Sequence, residues 1–128
     1  MNISFTIPGP PVPKVRMTQK TKWRGRARRS LDYQEYIAWC ATAAKVPMFK
    51  GHVELTVKIC LGSRGRADLS NLIKAVEDGI EYAGVVDNDH QILRYGPGTG
   101  IYLGFREEQV EITVREIEED ELCPGKRG

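Results

Sequence analysis

Acidic side chains are missing from the first 31 positions of this 128-residue chain. The same stretch holds eight of the nineteen Lys and Arg: Lys14, Arg16, Lys20, Lys22, Arg24, Arg26, Arg28 and Arg29. The rest of the chain is left with eleven basic against seventeen acidic residues, a split that the net charge of +2 conceals. A segment of one sign suggests an anion-binding arm more than a generic solvated surface. Cysteine is scarce. Cys40, Cys60 and Cys123 are odd in number and widely spaced, which excludes a zinc-ligand spacing and a disulfide framework and points to reduced thiols. Long apolar runs are lacking too, so no segment is suited to crossing a bilayer. Pro8, Pro10, Pro11 and Pro13 interrupt the region where a signal peptide would lie, and a cytoplasmic protein with no membrane partner is expected. The length suits a single domain with one core, and ordinary apolar and charged content argues against wholesale disorder.

What is present reads as alternating strands and helices. Ile3, Phe5 and Ile7 alternate with polar residues up to the Pro8-Gly9-Pro10-Pro11 stop, which is the pattern of a half-buried strand. Residues 14–29 show no apolar periodicity and are expected to form a basic loop. Trp23 within it either folds back on the core or stacks on a nucleobase. Ser30 is a plausible N-cap for a helix to about Lys45, with Tyr33, Ile37, Cys40, Ala41 and Ala44 as its apolar stripe and Pro47 as its stop. Val53, Leu55, Val57, Ile59 and Leu61 mark the clearest strand. A second helix places Leu72, Ile73, Val76, Ile80 and Ala83 inward. It carries Lys74, Glu77, Asp78 and Glu81 on the opposite face, with Asp68 or Ser70 as cap and Gly84 as terminator. Ile92–Tyr95 and Ile101–Phe105 read as a strand or hairpin interrupted at 96–100, and Val110, Ile112 and Val114 define a last strand. The residues from 119 to 128 are expected to be a flexible tail. The order predicts an α/β or α+β domain over 1–118, with two main helices packed on a mixed sheet.

The chemistry gathers at two acidic loops. Asp68 immediately precedes the second helix, and Asp87-Asn88-Asp89-His90 follows it. Carboxylates there could supply hard oxygen ligands to a divalent cation that acts on a phosphodiester. Lys74 could offset charge on a phosphate. The plainer alternatives are an i,i+4 pair between Lys74 and Asp78, a polar turn at 87–89 and a solvated His90. Spacing alone leaves both sets of readings open.

The run Pro10-Pro11-Val12-Pro13-Lys14, then Arg66-Ala67-Asp68-Leu69-Ser70-Asn71-Leu72-Ile73-Lys74-Ala75-Val76-Glu77-Asp78, then Asp87-Asn88-Asp89-His90-Gln91-Ile92, resembles the RusA family of Holliday-junction resolvases, which are common in prophages. The resemblance covers most of the chain. It implies a small homodimeric endodeoxyribonuclease that uses Mg²⁺ (with Mn²⁺ as a substitute) and needs no small-molecule cofactor. Such an enzyme would resolve four-way DNA junctions by paired nicks, in DNA recombination and repair. The family signature reads Asp-x-Asp-Asn, then a helix with a lysine and an aspartate one turn on, then Asp-Asp-x-Gln. Asp68, Asn71, Lys74, Asp78 and Asp89 match it. Ser70 and Asn88 stand where the family has aspartates, and a serine hydroxyl is a poorer metal ligand than a carboxylate. The expected catalytic residues are therefore Asp68, Asp89 and Lys74, and the expected metal ligands are Asp68 and Asp89 with one of Asp87, Glu77 or Asp78. DNA contact is expected from Lys14, Arg16, Arg24, Arg26, Arg28, Arg29, Arg66 and Lys74, supported by Lys58, Arg64 and Arg94. The alternative is a catalytically weakened junction-binding protein on the same scaffold, which the serine at position 70 keeps open.

Overall fold

The computed structural model describes residues 1–14 and 24–127. Its elements are β1 (Asn2–Pro8), α1 (Arg24–Ala43), β2 (Val53–Cys60), α2 (Leu69–Tyr82), β3 (Ile92–Tyr95), β4 (Gly100–Tyr102), β5 (Gln109–Glu116) and α3 (Glu119–Leu122), with 3-10 turns at Asp89–Gln91 and Pro124–Arg127. The strands form one mixed sheet in the order β1-β5-β2-β3, and β4 also pairs with β2. β5 is antiparallel to both β1 and β2, whereas β3 and β4 run parallel to β2. Parallel neighbours need a crossover, and α2 supplies it between β2 and β3. The 96–99 break therefore does not reverse the chain. It interrupts a strand that resumes along the same edge, and there is no hairpin.

Period-two patterning sorts the sheet into two faces. Phe5, Ile7, Val53, Leu55, Val57, Ile59, Val110, Ile112 and Val114 are buried on one face. Tyr33, Ile37, Cys40 and Ala41 of α1 and Leu72, Val76 and Ile80 of α2 join them in a single core. Phe49, Val85 and Val86 complete it from connecting segments. The other face is polar: Ser4 and Thr113 hydroxyls meet at 2.9 Å, and Arg115 bridges Glu54 at 3.2 Å and Glu121 at 3.0 Å. One face packed and one face wet is the common state of a sheet with antiparallel pairs.

Three further expectations need adjusting. The basic segment is helical from Arg24, not from Ser30. Alanine and arginine are good helix formers, and Arg28 adds an i,i+4 pair with Asp32 at 3.3 Å. α1 ends at Ala43, before Pro47 can act on it, because Lys45 adopts a left-handed conformation (φ 57°). The N–H of Val46 then bonds Ala41 O and that of Lys45 bonds Thr42 O, which closes the helix and leaves Ala44 outside it. Finally, α3 occupies the first part of the expected tail, with Glu118 and Glu121 forming a reciprocal capping box. The stretch 15–23, including Arg16 and Trp23, lies outside the described residues.

Candidate active site

Asp68 sits on extended backbone just before α2 and caps it, which decides between the two caps, Asp68 and Ser70, that the sequence offers. Its carboxylate accepts from Asn71 N–H at 3.3 Å and from Asn71 Nδ2 at 3.2 Å. One carboxylate and one amide of the signature thus hold each other at the start of the helix. Ser70 and Lys74 follow on the outer face, both exposed. A cleft of about 570 Å³ opens on the Asp68 side of the helix start, walled by Pro10, Pro11 and Leu61, with Arg64, Arg66 and Asp68 among its lining residues.

The second acidic loop is fixed by side-chain amides. Gln91 Nε2 donates to Phe49 O at 2.7 Å and Gly51 O at 2.8 Å, while its Oε1 accepts from Asp87 N–H at 2.6 Å. The Nε2 end of that amide thus ties the loop to the segment before β2, and the Oε1 end braces the loop on itself. Asn88 caps the 3-10 turn by accepting from His90 N–H at 2.9 Å. An aspartate at that position could cap equally well, so the departure from the family pattern leaves the loop's geometry intact.

Lys74 joins the two halves. Its Nζ lies 3.5 Å from Asp89 Oδ2. Burial alone would lower its pKa, but the charges of Asp78, Asp89 and Glu77 outweigh that and raise it. The ammonium therefore stays charged among three carboxylates. Asp78 is itself held by Lys14 at 2.6 Å, and Lys14 N–H also bonds Asn71 O at 3.1 Å, so the Pro-Pro-Val-Pro-Lys segment is laid across α2. Glu77 is the one charged side chain buried among the described residues, and its Oε2 accepts from the Tyr95 hydroxyl at 2.5 Å. Desolvation, and then this hydrogen bond and the nearby charges of Glu77 and Asp89, push the Tyr95 hydroxyl up to about 12.

The structure thus assembles Lys74, Glu77, Asp78 and Asp89, with Asp87 on the same loop. Asp68 lies six residues before Lys74, about 9 Å along the helix axis at 1.5 Å per residue. No three carboxylates, histidines or cysteines among the described residues are grouped closely enough to enclose a metal ion. A carboxylate at position 70 would share Lys74's face one turn earlier and narrow that gap; a serine does not.

Of the expected DNA contacts, Arg66 is exposed at the cleft and Arg28 and Arg29 are exposed on the first turns of α1. Arg24 and Arg26 lie on α1, but their side chains are outside the described residues. Lys14 is engaged by Asp78. Lys58 sits 4.9 Å above the Tyr102 ring, and Arg94 donates to Glu121 O at 3.3 Å. Sequence reasoning assigns Gln91 no role and misses Tyr95 entirely.

Residues 8–115 match the family model described as Endodeoxyribonuclease RusA. No curated protein matches the chain. The matched span takes in the segment laid across α2, both acidic loops and the lysine between them, so the chain belongs to the RusA endodeoxyribonuclease family.

Proposed function

We propose that this chain is a Mg²⁺-dependent endonuclease that resolves four-way DNA junctions, cutting paired strands as a homodimer. The observation that carries the reading is the 3.5 Å pair between Lys74 and Asp89, which joins the two signature segments inside a family match over most of the chain. The donor set suits a hydrated Mg²⁺, which is commonly held by one or two carboxylates plus substrate phosphate oxygens and does not require an all-protein cage. Asp68 and Asp89, both exposed, would hold it, with Asp87 as the third carboxylate because Glu77 and Asp78 are engaged by Tyr95 and Lys14. When bound, the cation would polarise the phosphate and lower the pKa of an attacking water.

The chain's own residues do the rest. Lys74, kept charged by its carboxylate neighbours, contacts a phosphate oxygen and offsets the charge that grows there. Gln91 fixes the loop that carries Asp87 and Asp89. Arg64 and Arg66 beside the cleft, with Arg28 and Arg29 on α1, hold the flanking backbone. Binding of this kind weakens steeply with salt. A four-way junction is recognised by shape, and a two-fold dimer would present two such sites to opposed strands.

Ser70, and the lack among the described residues of three carboxylates close enough together to enclose a metal ion, favour a second reading, a junction-binding protein with weakened catalysis. Incubation of labelled four-way junctions over a Mg²⁺ and Mn²⁺ titration separates the two. Symmetric nicks are expected, and Asp68→Asn and Asp89→Asn should each reduce cutting below detection. Junction binding without cutting at any metal concentration would leave the second reading standing; full activity in both variants would remove the site.

A further inference from the structure

β3 does not alternate regularly. Ile92 lies opposite Val53 on β2, but Arg94 lies opposite Glu54 and Tyr95 opposite Leu55. Leu93 is therefore an extra residue, a bulge, and it is 45% exposed. In an unbroken strand Ile92 and Arg94 would share one face, and Tyr95 would point with Leu93 to the other. The bulge reverses this. Tyr95 joins Leu55 on the helix-covered face, while Arg94 joins Glu54 on the wet face, where it reaches Glu121 O. Bulges re-aim side chains in this way and are common beside active sites.

The re-aimed hydroxyl meets the Glu77 carboxylate. Burying a carboxylate costs free energy unless it is hydrogen-bonded, and the hydroxyl of the half-exposed Tyr95 supplies that bond to Glu77. Glu77 is one turn beyond Lys74 on α2, and Tyr95 is six residues beyond Asp89. The contact therefore closes a ring through Lys74, Glu77, Tyr95 and Asp89, across the gap between the helix and the loop.

We propose that Glu77 and Tyr95, brought together by the Leu93 bulge, form a clamp that sets the distance between α2 and the 87–89 loop, and that both are positioning residues for strand incision. The proposal rests on the endonuclease reading above for its consequence, but not for its geometry. Gln91 anchors the far side of the loop to the segment before β2, and the clamp anchors its exit to the helix. With both in place the Asp89 carboxylate has little freedom relative to Lys74. Misplacement of a reacting group by about 1 Å is enough to lower a rate about a hundredfold.

The test uses full-length Tyr95→Phe and the double variant Tyr95→Phe/Glu77→Leu. The first leaves a buried carboxylate without its donor; the second removes both polar partners and so restores stability without restoring the link. Four readouts are taken: thermal melting, amide hydrogen exchange over residues 87–92, junction cleavage under single-turnover conditions, and junction affinity in Ca²⁺. The clamp predicts faster exchange over 87–92 in both variants, with α2 still protected. Cleavage should fall by about tenfold or more in both, and affinity should stay within about twofold. Recovery of the cleavage rate in the double variant together with its melting temperature would show that the pair serves stability alone and would overturn the proposal. Parental exchange rates over 87–92 in Tyr95→Phe would overturn it as well. Were the parent chain itself unable to cut, faster exchange in the variants would uphold the clamp while the nuclease reading fell; unchanged exchange would sink both.

Discussion

The two long helices lie in one layer, pack on one sheet face and stop in the same way, yet they carry different side chains. α2 is strongly amphipathic, capped by Asp68, and bears or faces most of the candidate chemistry along one side. α1 has no acidic residue in its first turn and begins with arginines. Cations at the positive end of a helix dipole are unfavourable by about 0.3–1 kcal/mol each. A bound phosphate would reverse that sign, which is what the proposed contact of α1 with the DNA backbone would use. In the function proposed above, one helix holds a geometry and the other presents charge.

The largest test of that division sets Lys74→Ala against the pair Arg28→Ala/Arg29→Ala. Loss of a group that stabilises transition-state charge lowers turnover by about 10²–10³-fold. Lys74→Ala should therefore cripple cleavage at saturating DNA while junction affinity falls by no more than the loss of one phosphate contact. The arginine pair should do the opposite. The salt dependence of binding should become shallower by about 0.9 for each phosphate that is no longer neutralised, or about 1.8 for both arginines, with single-turnover cleavage at saturation retained. Equal losses of turnover from both helices would erase the distinction.

The helices meet at Gly79. A Cβ there would lie 2.7 Å from both Cβ and Cγ2 of Ile37. These atoms are at the root of a fully buried side chain and cannot swing away, so accommodating a methyl group means moving one helix. Gly79→Ala should lower stability by about 1–3 kcal/mol despite alanine's better helix propensity, measured by denaturant unfolding. A surface helix position would show the reverse sign, which makes this variant a sharp reporter of the close crossing.

The same contrast explains what the sequence disclosed. α2 was legible from end to end because every local signal agreed: an aspartate cap, a 3.6-residue apolar stripe and Gly84 as terminator. The strands were legible because alternation matched the two faces. α1 was harder at both ends. Its start is written in arginines, which look like a solvated loop until propensity is counted. Its stop places a lysine where a glycine is usual, so Pro47 drew the boundary outward. Within the site, Asp68, Lys74 and Asp89 could be read from the family pattern. Tyr95 could not, because one bulged residue inverts the face that alternation assigns to it. The buried state of Glu77 was equally hidden, since its place on a polar helix face says nothing about what covers it.

The smallest effect is expected where the two helices are most alike. Both close with a pair of backbone bonds around a left-handed residue: Gly84 (φ 80°), through Gly84 N–H to Glu81 O and Val85 N–H to Ile80 O, and Lys45 (φ 57°) through the equivalent bonds. For an L-residue that conformation costs roughly 1–2 kcal/mol, and glycine escapes it but gains freedom in the unfolded chain. Gly84→Ala should therefore destabilise by about 1 kcal/mol, and Lys45→Gly should stabilise by somewhat less, about 0.5–1 kcal/mol. The Lys45 side chain is exposed, so its removal leaves no cavity in the core. Opposite shifts in melting temperature would confirm that the two helices share one stop and differ only in how well each sequence fits it. A fall in stability for Lys45→Gly would mean that the lysine's charge near the last carbonyls of α1, favourable to the helix dipole, outweighs its backbone strain.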